Sequence, residues 1–225
     1  MFNVAIDGPA GAGKSTIAKM VAKKMNLIYV DTGSMYRAMA LSCIRKGINP
    51  QEHVKVAEEI KDLIISLEYE NGMQQVILNG ENVNSYIRTE EVGNMTSAIA
   101  TYKEVRDKLV AIQRQIAEEK DVIMDGRDIG TCVLKDAPVK IYLTADARTR
   151  AQRRYKELVQ KGEQCDIDII EKDIKDRDYR DMHREISPLK KAEDAVVIDS
   201  SNMTIEEVVD NISDIIEKKK EKMKG

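Results

Sequence analysis

The sequence predicts an α/β fold built on a five-stranded parallel sheet flanked by helices. Five short, nearly continuous apolar runs lie at residues 2–6, 27–30, 121–124, 139–143 and 195–198, as expected of strands buried on both faces. Amphipathic helical patterns at 14–25, 102–118, 146–161 and 205–218 separate most of them. Strands alternating with helices are the pattern of a doubly wound parallel sheet. The length, 225 residues, corresponds to about 1.5 typical domains, which fits one large domain carrying an insert.

The elements follow in order. The run at 2–6 leads through a glycine-rich turn into the helical pattern at 14–25, and the run at 27–30 ends in Asp31. The rhythm then breaks between about residues 66 and 100. Residues 73–78 alternate like an exposed strand, and Asn79-Gly80-Glu81-Asn82 is a hairpin turn signal, so this stretch reads as an insert. The α/β rhythm resumes at 102 and continues to the C-terminus, where the charge run at 217–225 reads as a solvated, fraying helix end.

Composition narrows the function classes. Hydrophobic residues at 42%, charged residues at 33% and only four prolines exclude a collagen-like or low-complexity chain. Thirty-six basic against 39 acidic residues give a net charge of −3, which provides no bulk field for non-specific nucleic-acid binding. The positive charge is instead placed locally, since ten of the 13 arginines lie between Arg106 and Arg184. Cys43, Cys132 and Cys165 are odd in number and widely spaced, against both a disulfide framework and a zinc site, so a reducing cytoplasm is expected. Neither an export signal nor an apolar run of membrane-spanning length is evident.

Gly8-Pro9-Ala10-Gly11-Ala12-Gly13-Lys14-Ser15 matches G-x-x-x-x-G-K-[ST] between a strand and a helix, the context of a phosphate-binding P-loop. Its backbone N–H groups and the following helix N-terminus suit phosphate oxygens, with Thr16 completing the segment. Lys14 can reach the β- and γ-phosphates of ATP, and the Ser15 hydroxyl can ligate Mg2+. Asp125, ending the run at 121–124, is the expected carboxylate near that ion, directly or through water. The fold class is therefore a P-loop NTPase. The N-K-x-D and D-x-x-G patterns of GTPases are absent. A phosphoryl-transfer enzyme for a small acceptor needs a second anion site, for which the arginines are candidates.

Three further blocks make the likeness specific. Asp31-Thr32-Gly33-Ser34-Met35-Tyr36-Arg37 resembles the acceptor-binding segment of nucleoside monophosphate kinases. Asp125-Gly126-Arg127-Asp128-Ile129-Gly130-Thr131 is similar to the D-G-R-D-x-G-T segment of bacterial cytidylate kinases, and Arg177-Asp178-Tyr179-Arg180-Asp181 with Arg184 resembles that family's closing helix. The resemblance covers essentially the whole chain. It implies a single kinase domain over residues 1–225, an acceptor-binding region at 31–100 with its insert at about 66–100, and a lid at 148–166, the insert and lid closing on substrates. It implies transfer of the γ-phosphoryl of ATP to CMP or dCMP. Arg37, Arg127 and Arg184 would hold the acceptor phosphate; Arg106 and Asp128, with Thr32 and Ser97, would read the cytosine edge; Arg177 and Asp181 would contact the ribose. Lys14, Arg127 and the lid arginines Arg150 and Arg153 would stabilise the transferring charge. Tyr36 packs either on the base or in the core. His53 and His183 read as surface or capping residues, the cysteines as structural, and the methionines Met35 and Met39 as core packing. A monomer acting on small nucleotides is expected, with no nucleic-acid or membrane partner. Another P-loop kinase acting on UMP or a different acceptor, or an ATP-dependent switch, are the rival readings.

Overall fold

The computed structural model describes residues 1–225. In chain order its elements are β1 (Val4–Asp7), α1 (Lys14–Met25), β2 (Ile28–Asp31), α2 (Thr32–Arg45), α3 (His53–Lys61), β3 (Ile65–Glu70), β4 (Met73–Leu78), β5 (Glu81–Asn82), α4 (Glu90–Ile99) and α5 (Lys103–Glu119). Then follow β6 (Val122–Gly126), a π-helical turn at Ile129–Val133, β7 (Val139–Thr144), α6 (Ala147–Gln160), α7 (Ile167–His183), β8 (Val196–Asp199) and α8 (Ile205–Lys224). The chain divides into two compact units, residues 1–29 with 119–225, and residues 30–118.

The first unit carries the five-stranded sheet, in the order β2-β6-β1-β7-β8. β1 is central and fully buried, and it pairs in parallel with β6 (Ile6 opposite Asp125) and with β7 (Ile6 opposite Ile141). Ile6, Ile17, Val21, Ile123, Ile141, Ile198, Val208 and Ile212 form its core, so α1 and α8 bury apolar faces against the sheet. One expectation fails at the margin. β8 is not buried on both faces: Val196 and Val197 are about half exposed, whereas Tyr29 and Val30 of β2, at the opposite edge of the sheet, are buried. α8 runs through the charged tail to Lys224, and that tail is exposed, as expected, apart from the half-buried Lys220. A capping box between Thr204 and Glu207 starts it, and the Lys220 ammonium lies 5.0 Å from the centroid of the Phe2 ring. No helix is long and apolar enough to cross a membrane.

The second unit contains the antiparallel sheet β3-β4-β5. Its turns fall at Asn71-Gly72 and Asn79-Gly80, all four residues having positive φ, as tight hairpins require. α2 begins directly after β2 because the Asp31 carboxylate accepts from the backbone N–H of Ser34 at 3.0 Å. Thr89 caps α4 in the same way, accepting from Val92 N–H. Met35, Met39, Ile60, Ile87, Ile99 and Leu109 lie in one core, so the methionines pack as expected.

Candidate active site

The first unit assembles the phosphate loop. β1 ends at Asp7, residues 8–13 turn, and α1 opens at Lys14 with Gly13 as its left-handed N-cap (φ 85°). Gly8 permits the turn's close approach to β7: a Cβ there would lie 1.9 Å from the Leu143 carbonyl oxygen. Lys14 is only 6% exposed, and its Nζ donates to the Pro9 carbonyl at 2.8 Å. Burial, then repulsion from Arg127, pushes its pKa down to about 7, against the pull of Asp125 and Asp7. Ser15 Oγ donates to Asp125 Oδ2 at 2.8 Å, and Tyr29 Oη donates to Asp125 Oδ1 at 2.9 Å, so the two predicted metal ligands are adjacent. Pro9, Ala10, Gly11 and Ala12 form the turn itself, and Thr16 lies in the first turn of α1.

Arg127, Arg184, Arg150 and Arg153 of this unit are each engaged. Arg127 Nε bonds Asp181 at 2.9 Å. Burial pushes the Asp181 carboxyl up, but Arg127, Arg177 and Arg184 together hold it below its ordinary value. Arg184, just past the end of α7, donates to the Ser187 carbonyl and lies 3.6 Å from the buried Asp128. Arg150 is buried against Asp178 at 2.6 Å, and Arg153 donates to the carbonyl and hydroxyl of Ser200. The stretch expected to form a lid falls on α6 and the loop leading to α7.

Two carboxylates here escaped sequence reasoning. Asp7 accepts from the backbone N–H groups of Ile129 and Gly130, both at 2.7 Å, and so anchors the π-helical turn beside Asp128. Burial raises its pKa to about 6 despite those bonds. Asp7 ends an apolar strand just as Asp125 does, which is the signal that could have found it. Asp178 lies three residues before Asp181 on α7, one turn along the same helix.

The second unit holds the other predicted residues. Thr32 is buried at the start of α2. Arg37 Nη1 donates to the Ile87 carbonyl at 3.0 Å and lies against Gly93 of α4, whose carbonyl accepts from Ser97 Oγ at 3.1 Å. The guanidinium of the buried Arg106 sits 5.8 Å from the centroid of the half-buried Tyr36 ring. Thr32, Tyr36, Arg37, Ser97 and Arg106 thus come from α2, α4 and α5. Sequence reasoning missed two supports of the α2 N-terminus. Gln74 on β4 accepts from the Asp31 N–H and donates to Ser34 Oγ, both at 2.8 Å, and Arg88 bonds the Asp31 carboxylate at 2.5 Å. His53, at the start of α3, bonds Glu104 and lies tilted against the Tyr102 ring with centroids 4.3 Å apart, and His183 bonds the Tyr179 carbonyl. Both are exposed, as expected of surface residues.

The family model described as cytidylate kinase matches residues 4–218. The chain is 50% identical over 217 residues to a cytidylate kinase of Caldicellulosiruptor saccharolyticus, covering 96% of each. It is 48% identical over 217 residues to a cytidylate kinase of Clostridium botulinum strain Okra, covering 96% of this chain and 98% of that one. Among solved structures it is similar to a shikimate kinase from Bacteroides thetaiotaomicron, with TM-score 0.50, 12% identity, and 96% of this chain and 98% of that one covered. A gluconokinase from Sinorhizobium meliloti 1021 also has TM-score 0.50, at 11% identity, with 99% of this chain and 95% of that one covered. These structural likenesses support the P-loop kinase fold alone. With a matched family model spanning nearly its whole length and relatives near half identity, the chain belongs to the cytidylate kinase family.

Proposed function

We propose that the chain transfers the γ-phosphoryl of ATP to the 5′-phosphate of CMP or dCMP, giving the diphosphate and ADP. The observation that carries this reading is the assembled phosphate loop, with Lys14 buried at the start of α1 and Ser15 against Asp125. Lys14 is buried and disfavoured as a cation by desolvation and by Arg127, an arrangement that a bound polyphosphate relieves. Membership of the cytidylate kinase family supports a cytosine nucleotide as the acceptor.

The residues divide by role. Backbone N–H groups within residues 8–16, Pro9 having none, cradle the donor phosphates, and Lys14, Arg127, Arg150 and Arg153 offset charge on the transferring group. Arg37, Arg127 and Arg184 hold the acceptor phosphate, and their guanidinium forks stay charged at any working pH. Thr32, Tyr36, Ser97, Arg106 and Asp128 receive the base, and Arg177 with Asp181 the ribose. A carboxylate at Asp128 accepts from the exocyclic amino group of cytosine and faces a carbonyl in uracil. The acceptor phosphate is already ionised near neutral pH, so no general base is needed.

The adjacent Ser15 hydroxyl and Asp125 carboxylate form a hard oxygen donor pair that suits Mg2+. No group of three His, Cys, Asp or Glu could cage a metal, so this pair would act with phosphate oxygens and water. When bound, the ion neutralises charge on the β- and γ-phosphates. The three unbridged cysteines fit a reducing cytoplasm, and we take the enzyme to act as a monomer on free nucleotides.

A coupled ADP-release assay over CMP, dCMP, UMP and AMP tests the reading. CMP-stimulated release supports it. Stimulation by another acceptor alone would reassign the substrate, and slow ATP hydrolysis that CMP does not stimulate would favour a switch protein.

A further inference from the structure

The pair Asp178–Arg150 joins α7 to α6 through two buried side chains. α6 buries only Arg150 and Ala151, and α7 only Ile174 and Asp178, so two of the four buried side chains are charged. A contact selected for stability alone would place apolar side chains there, since isolating two charges from water offsets much of their attraction. The pair has a second peculiarity: Asp178 Oδ1 is buried without a hydrogen bond, while Oδ2 meets Arg150 Nη1 at 2.6 Å.

The Arg150 fork explains what the pair does. Its Nε donates to the Ala145 carbonyl at 2.8 Å, and its Nη1 donates to the Ala10 carbonyl of the phosphate loop at 2.9 Å. A Cβ built on Gly11 would lie 3.4 Å from the Arg150 Cβ, so the arginine stem lies along the loop backbone. Nε and Nη1 are thereby held from three sides, by α7, by the chain before α6 and by the loop. Nη2 carries no bond.

We propose that Asp178 is a positioning residue, fixing Arg150 against Ala10 so that Nη2 is the edge presented to the donor phosphates. The proposal rests on the reading of the loop as the ATP site. It makes α7 the element that sets the orientation of an arginine carried by α6. Asp178 itself touches no substrate in this scheme. Removing its charge would free the guanidinium to rotate, and a displacement of about 1 Å in a charged group of this kind can lower the rate by roughly 100-fold.

The test compares Asp178→Asn, Arg150→Ala and the double variant with the wild type, using Lys172→Ala on the exposed side of α7 as a control. Asp178→Asn and Arg150→Ala should each lower kcat/KM for ATP by about 10-fold or more, with KM for CMP within about two-fold of wild type. The double variant should be no worse than Arg150→Ala, because Asp178 acts only through that arginine. Asp178→Asn indistinguishable from wild type, losses that multiply in the double variant, or a KM for CMP that rises in step would each overturn the proposal. So would failure of Asp178→Asn to fold by circular dichroism, which would make the carboxylate a purely structural group. Calorimetric binding of a non-hydrolysable ATP analogue reads the same loss without an acceptor. A wild type that phosphorylates something other than CMP would therefore refute the acceptor assignment and leave this comparison intact.

Discussion

Replacing Lys14 by methionine is expected to stabilise the ligand-free protein while destroying its activity. The lysine's pKa falls from an ordinary 10.5 to about 7, chiefly because burial disfavours the ammonium and then because Arg127 repels it. At about 1.36 kcal/mol per factor of ten in proton affinity, holding the charged form costs up to ~5 kcal/mol at or below pH 7. Methionine removes that cost and keeps the length of the side chain. It also removes the hydrogen bond to the Pro9 carbonyl, about 1 kcal/mol, and allowing for relaxation around the buried charge the net gain is on the order of 2 kcal/mol. For a chain of this size that is a rise in Tm of roughly 4–8 °C. The gain has a defined pH dependence. Between pH 7 and 10.5 the unfolded wild type holds a proton that the folded protein has released, so wild-type stability climbs with pH through that window. The advantage of Lys14→Met should thus be largest at pH 6–7 and shrink toward pH 10, as paired thermal melts would record. The coupled assay should show kcat lowered by about 100-fold or more, because the charge acts chiefly in the transition state. A variant that melts below wild type at pH 6–7, a pH-independent difference, or a near-normal kcat would refute this account of Lys14.

Three further outcomes follow from the geometry. Gly8→Ala forces a Cβ to within 1.9 Å of a backbone oxygen and should lower stability by about 3 kcal/mol or more, with loss of ATP binding, whereas Gly80→Ala, at φ 86° with open space around it, should cost only about 1 kcal/mol; equal melting temperatures for the two would contradict the packing described. Asp128→Ala should shrink the preference for CMP over UMP in kcat/KM by roughly 10-fold or more, and an unchanged ratio would remove Asp128 from base recognition. Thr204→Ala breaks the capping box of α8 and should lower Tm by roughly 2–4 °C, about 1 kcal/mol, with activity intact.

Much of this was legible along the chain. Four of the five strands show the expected burial, and the phosphate loop was readable because its residues are contiguous and their context is local. The N-terminus of α2 was harder: Asp31 was seen only as the start of an acceptor segment, although a strand-ending Asp is also a good helix cap. Its supports Gln74 and Arg88 lie 43 and 57 residues away. The exposure of β8 is not legible in its apolar composition, because burial depends on what packs over each face of a strand, and β2 and β8 are both edge strands yet only β8 is exposed.

The sequence by itself determined the element types, the phosphate-loop chemistry and the concentration of arginine between Arg106 and Arg184, since each depends on residues close together or on a simple count. Only the tertiary structure decided which donor each carboxylate meets: Asp178 the Arg150 guanidinium across 28 residues, Asp181 that of Arg127 across 54, Asp125 the Ser15 hydroxyl across 110, and Asp7 the Ile129 backbone N–H across 122. It also decided that Lys14 is buried and disfavoured as a cation. Desolvation and Coulomb interaction depend on distance in space, and sheet order and helix packing set that distance.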